Sequence, residues 1–124
     1  MKGCALVARI WERETYLVDG VRRKAARYFN YAIISELVDD LEIVTIFHYR
    51  TLVLSIVLKD GLFQYIQSFL ITSVSDKKAV KFFLNYFEVE YKSVNFSKNQ
   101  GIGWIWFPDE KLSQVESFVP YIRE

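Results

Sequence analysis

The chain has 124 residues, of which 52% are hydrophobic, 17% aromatic and 25% charged. That supports one domain with one core and excludes intrinsic disorder, which needs low hydrophobicity and high net charge. With 16 basic and 15 acidic side chains the net charge is +1; this excludes binding by bulk positive charge and leaves a local basic site open.

In chain order, Leu6 to Ile10 reads as a first strand, and Thr15 to Val18 pairs with it as a short hairpin that Gly20 ends. Val21 to Leu37 is predicted helical, because Val21, Ala25, Phe29, Ala32, Ile33 and Leu37 recur at helix spacing. Leu41 to Ile46 is rich in β-branched residues and reads as a strand. Leu52 to Leu58 is apolar without a period, and fits a buried strand or an all-round buried helix. Leu62 to Thr72 favours helix through Leu62, Ile66, Phe69 and Leu70.

Ser75 to Phe87 is a clearer helix, with Ser75 as its cap, Asp76 in its first turn and Val80, Phe83, Leu84 and Phe87 as its core stripe. Val89, Tyr91, Val94 and Phe96 belong to a strand whose alternation slips once, as at a bulge. Ile102 to Phe107 is its partner across the polar loop Ser97-Lys98-Asn99-Gln100-Gly101. Pro108 stops that strand. Asp109 then caps a last helix with Leu112, Val115, Val119 and Ile122 inward, and Pro120 kinks or ends it. The sum is an α+β fold, a single domain over residues 1–124 with a small, mostly antiparallel sheet and helices packed on it.

The single Cys4 excludes an internal disulfide, and with His48 as the single histidine a His/Cys metal cage is excluded too. No metal or other cofactor is expected. The apolar start stops at Arg9, short of a signal peptide. The longest charge-free stretch, Gly61 to Ser75, is too short and polar to span a bilayer. The expectation is a cytoplasmic protein with no membrane contact.

Phosphate-loop, dinucleotide, zincin and nucleophile-elbow motifs are absent from the sequence. Asp39 and Asp40, beside Glu36 and Glu42, read as a solvated acidic turn. His48-Tyr49-Arg50 reads as packed or surface residues more than as a catalytic set. No catalytic residue and no small-molecule substrate are expected.

Two features stand out. A helix starting at Ser75 offers free N–H groups and partial positive charge, and Lys77 and Lys78 sit at that end. An anion docked there would offset their unfavourable placement. Ala79, Phe82 and Tyr86 form a second apolar stripe on the same helix and suggest a partner surface.

Val21-Arg22-Arg23-Lys24-Ala25, the strand at Leu41 to Ile46, the two apolar segments up to Val74 and then Ser75-Asp76-Lys77-Lys78-Ala79-Val80-Lys81-Phe82-Phe83-Leu84-Asn85-Tyr86-Phe87-Glu88-Val89 follow a recognisable order. It resembles the Cgi-type regulatory subunit of the KEOPS complex, the PRPK-binding protein family. Ser75, Lys78, Val80, Leu84, Phe87 and Val89 fit that family's helix pattern, while Asp76, Ala79, Phe83 and Glu88 depart from it. The resemblance implies a helix over Tyr49 to Lys59. It implies a non-catalytic subunit of the complex that makes threonylcarbamoyladenosine in tRNA, bound to the small kinase/ATPase subunit and, as a second ligand, to the tRNA acceptor end. Partner contacts would then fall to Ala79, Phe82 and Tyr86, and RNA contacts to Ser75, Lys77 and Lys78. The alternative is a stand-alone single-stranded nucleic-acid-binding module, supported by aromatic richness beside Arg22, Arg23, Lys24 and Arg27.

Overall fold

Stretches of eight or nine residues, each reversed by two residues, build most of the molecule. The computed structural model describes the backbone of residues 11–18 and 21–115 and the side chains of residues 24–115. Six strands run as an antiparallel meander in the order β1 (Trp11–Val18), β2 (Val21–Tyr28), β3 (Tyr31–Val38), β4 (Leu41–His48), β5 (Thr51–Lys59) and β6 (Leu62–Phe69). Helix α1 (Val74–Tyr86), the hairpin of β7 (Ser93–Ser97) and β8 (Ile102–Trp106), and a 3-10 helix over Asp109–Gln114 follow. The fold is α+β.

The strand reading of Leu41 to Ile46 holds within β4. The helix expected over Val21 to Leu37 does not form: β2 and β3 occupy it and turn at Phe29 and Asn30. The apparent helical period there spans two strands. Strand alternation places Tyr31 and Ile33 inward, and the reversal restarts the count, so Tyr28 is inward as well. The helix expected over Leu62 to Thr72 is likewise β6, held to β5 with two register shifts. Thr15 to Val18 lies in β1 and pairs with β2; the strand expected at Leu6 to Ile10 lies outside the described residues.

The ambiguous stretch is strand β5, and the helix that the resemblance implies for Tyr49 to Lys59 is thereby corrected. Val53 to Leu58 are all buried, on both faces of the sheet, which is why no alternation shows in the sequence. One sheet face forms the main core through Tyr28, Tyr31, Ile33, Val44, Ile46, Leu54, Ile56, Ile66 and Phe69. α1 closes it with Ala79, Val80, Phe83 and Leu84. Burying one such aliphatic or aromatic side chain is worth about 1.5–3 kcal/mol.

The strand expected from Val89 starts only at Ser93. Val89 is buried and gives its N–H to Leu84 O at 2.8 Å, so it finishes the helix end instead. The hairpin joins the same core through Val94 and Ile105. Gly103 lets it approach: its N–H bonds Ile71 O at 2.8 Å, and a Cβ there would stand 2.3 Å from Asn95 O. The segment expected as a last helix is a 3-10 turn that follows Pro108, with no side-chain cap from Asp109. Gln114 Nε2 bonds Gln64 O at 2.8 Å, and Val115 bridges to Ile66. Val119, Pro120 and Ile122 lie outside the described residues.

Candidate functional site

Antiparallel pairing sets the β2–β3 and β4–β5 turns side by side, because Tyr31 lies directly opposite His48. Each turn carries an aromatic residue in left-handed backbone. Phe29 has φ 51° and is 70% exposed; Tyr49 has φ 58° and is 76% exposed. Left-handed backbone costs an ordinary L-residue roughly 1–2 kcal/mol, and Asn, Asp and Gly tolerate it better than a bulky ring does. Two such residues at neighbouring tips, with their rings in solvent, are a local conflict between stability and surface chemistry.

A ring stack supports the first tip. Tyr28 lies on Phe82 at 4.0 Å between centroids with planes 9° apart, and meets Phe29 edge-on at 4.7 Å. Tyr31 stacks on His48 at 4.4 Å, and His48 leans on Tyr49 at 4.8 Å.

Asp76 ties both turns to α1. It is 2% exposed. Its Oδ1 accepts from the Tyr31 hydroxyl and lies against His48 Nδ1, each at 3.1 Å. Its Oδ2 accepts from the Thr72 N–H at 3.1 Å and the Thr72 hydroxyl at 3.0 Å. An ionised carboxylate only accepts, so this network assigns the His48 proton to Nδ1. Burial, and then the Asp76 charge, pushes the Tyr31 hydroxyl well above its ordinary range, so it stays a neutral donor. The N-terminus of α1 adds a favourable dipole to the carboxylate.

The cap of α1 is Ser73, not Ser75: Ser73 Oγ accepts the Asp76 N–H at 3.1 Å. Ser75 is exposed. At the helix start, where Ser75, Lys77 and Lys78 were expected to offer an anion position, the Asp76 carboxylate turns back to the Thr72 N–H and Ser73 Oγ accepts the Asp76 N–H. Lys78 is exposed, one turn before Phe82, whereas Lys77 is half-buried and lines a groove on another side of the helix. Ala79 is buried, and Phe82 is half-buried on Tyr28. Of the stripe expected to meet a partner, Ala79 is core and Phe82 lies on Tyr28 of the chain's own β2. Tyr86 stacks beyond Phe82 at 6.2 Å, and burial raises its hydroxyl above the ordinary value. An antiparallel sheet needs cover on its apolar face, which is why α1 buries Ala79 and half-buries Phe82 beside its core stripe.

Arg27 and Arg50 are exposed at this same end. Within the segments 27–32, 47–52 and 69–78 the single carboxylate is the buried Asp76, while the start of β1 brings Glu12 opposite Ala26. Of the basic residues weighed for nucleic acid, Arg27 alone lies beside the aromatic tips; Arg22, Arg23 and Lys24 pair with Leu37, Glu36 and Ser35 farther along β3.

Phe29 and Tyr49 are the residues that sequence reasoning missed, Phe29 having been assigned to a helix. A signal was present. The turn residues Asp19-Gly20, Asn30, Asp39-Asp40, Arg50 and Asp60-Gly61 recur about every ten residues along the sequence, as in a meander.

Among the described residues no group of three or more His, Cys, Asp or Glu side chains could hold a metal ion, and no helix is long and apolar enough to cross a membrane. The chain matches no protein-family model, no curated protein and no solved structure.

Proposed function

We propose that the chain is a non-catalytic binding module that takes single-stranded nucleic acid on the aromatic end of its sheet. The observation that carries this reading is the pair of exposed rings, Phe29 and Tyr49, held in unfavourable backbone on neighbouring turns. Every base has a π-face, so exposed rings beside cations suit bases and their phosphates without reading sequence. Arg27 and Arg50 supply the cations, and Asp76, the carboxylate within segments 27–32, 47–52 and 69–78, is buried. Asp76 and His48 share the geometry of a general-base pair. Their contacts run to Tyr31, Thr72 and Tyr49, and among the described residues no serine or cysteine hydrogen-bonds His48. That favours a positioning role for the pair.

Fluorescence anisotropy with a labelled single-stranded RNA of about twelve nucleotides tests the reading. Wild type should bind, and a duplex of the same length should bind less well. Phe29→Ala and Tyr49→Ala should each weaken binding by about 1–3 kcal/mol. Equal affinity of wild type and the double variant would remove the aromatic end from the binding site.

The second reading is a protein-binding subunit of the KEOPS complex. The order of α1 followed by β7 and β8 favours it, whereas β2, β3 and β5 stand where that resemblance places helices. Its partner surface would also fall on Phe29 and Tyr49, since Ala79 and Phe82 face the sheet. Capture of a small kinase/ATPase subunit by wild type, lost in the double alanine variant, with no RNA binding, would select this reading.

A further inference from the structure

We propose that the groove between α1 and the segment leading into β7 is the phosphate track of the same strand, so that its bases stack on Phe29 and Tyr49 while its backbone runs along lysines. This rests on the nucleic-acid reading above. The groove is open, with a volume of about 490 Å³, and Lys77, Lys81, Asn85, Tyr91 and Lys92 line it. Lys77 and Lys81 are one turn apart on a single side of α1, with Cβ atoms ~5–6 Å apart. Lys92 enters from the opposite wall. The Tyr91 hydroxyl bonds Asn85 Oδ1 at 3.2 Å, which ties the two walls together.

The charges in this groove are not cancelled. Glu90 also lines it, but its carboxylate lies 3.7 Å from Lys111 Nζ. Among the described residues no ion pair involves Lys77, Lys81 or Lys92, although Lys59 and Lys111 each have one. Like charges gathered in a cleft focus their field and attract a polyanion. On the nucleic-acid reading of the aromatic end, that polyanion is the phosphate backbone of a single strand. Lys77 follows Asp76, the residue that holds His48 and Tyr31, so the lysine side of α1 begins in the same turn that anchors the aromatic end.

Phosphate contacts release counterions. Three of them on a single strand give a salt slope of about −2 in log K against log salt. The experiment is titration of labelled single-stranded RNA at several salt concentrations with wild type, the triple variant Lys77→Gln/Lys81→Gln/Lys92→Gln, the same positions changed to Arg, and Phe29→Ala/Tyr49→Ala. The triple Gln variant should lose about two from the slope and bind at least about tenfold more weakly at low salt. The Arg variant should keep the wild-type slope, which shows that charge and not a folding defect sets the difference. The alanine pair should bind weakly with the slope unchanged, because stacked bases release no counterions. Lys98→Gln, at the exposed tip of the β7–β8 hairpin, should change nothing.

Wild-type slope in the triple Gln variant, together with weak binding by the alanine pair, would overturn the groove and leave the stacking reading in place. No binding of any single strand by wild type would overturn both. Equally tight, lysine-dependent binding of a polyglutamate chain that ignores the two rings would make the groove an acidic-peptide site and overturn the track.

Discussion

The two ends of the β1–β6 sheet meet the same geometric demand with opposite residue chemistry. Two-residue reversals between antiparallel strands call for left-handed backbone at the first turn position. At one end that position holds Asp39 with φ 58° and Asp60 with φ 52°, the latter followed by Gly61 with φ 78°. Aspartate and glycine enter this region readily, and the end is acidic and exposed, with Lys59 paired to Asp40 at 3.3 Å. At the other end the same position holds Phe29 and Tyr49. The first turn position is left-handed at both ends, so that demand does not account for the rings. Their presence costs stability, and a surface role for them is the reading that accounts for that cost.

The comparison breaks most sharply at Asp76. Among the described residues the acidic end has no buried anchor like it, and Asp76→Ala should strand the Tyr31 hydroxyl, the Thr72 N–H and hydroxyl and the His48 ring at once. The expected loss is about 3–5 kcal/mol in urea unfolding. A loss below about 1 kcal/mol would mean that packing of Tyr28 on Phe82, and not this carboxylate, secures the aromatic end. Asp60→Ala at the other tip should cost no more than the turn strain itself, roughly 1–2 kcal/mol.

Alkaline pH should separate the ends less strongly. The Tyr31 hydroxyl is raised in the folded state, by burial first and by Asp76 second. A group raised on folding contributes stability that is full below its unfolded value, about pH 10 for tyrosine, and is lost as pH rises from there toward the folded value. Wild type should therefore lose stability above about pH 10 more steeply than Tyr31→Phe, which starts lower by about 1 kcal/mol for the missing hydrogen bond. Parallel alkaline melting curves for the two proteins would show that the hydroxyl does not feel Asp76.

The smallest effect sharpens the comparison itself. Phe29→Asn and Tyr49→Asn place a left-handed-tolerant residue at the aromatic tips. Each should raise stability by about 0.5–1 kcal/mol while weakening RNA binding. Asp39→Asn should leave both within about 0.5 kcal/mol. Stability gained at all three positions alike, with binding untouched, would make the aromatic turns ordinary turns. Thermal melting and anisotropy on the same samples decide it.

Much of the fold was legible in the chain. β-Branched residues marked β4, the apolar stripe of Val80, Phe83 and Leu84 marked α1, and the polar loop over residues 97–101 marked the β7–β8 hairpin. The meander was not read, because Val21, Ala25, Phe29 and Ala32 fit a helical period by accident across a turn at Phe29 and Asn30. A reversal restarts strand alternation, and a count that runs through it mixes two registers. The ten-residue return of turn residues was the stronger signal, since it repeats over the whole sheet. At the site, the two serines 73 and 75 are equivalent as caps in the sequence, and burial of Asp76 in the third position after Ser73 selects between them.

Composition and pattern alone determined an α+β chain with a helix over Ser75 to Phe87 and a late hairpin, and residue counts that exclude an internal disulfide or a His/Cys metal cage. Those properties follow from residue counts and from periods within one element. Only the tertiary structure decided that Phe82 stacks on Tyr28, that Asp76 is a buried hub beneath two turns, and that Phe29 and Tyr49 are exposed on neighbouring turns. Each of these joins residues from different strands and the helix, separated by twenty to more than fifty positions, and strand pairing with burial sets such distances.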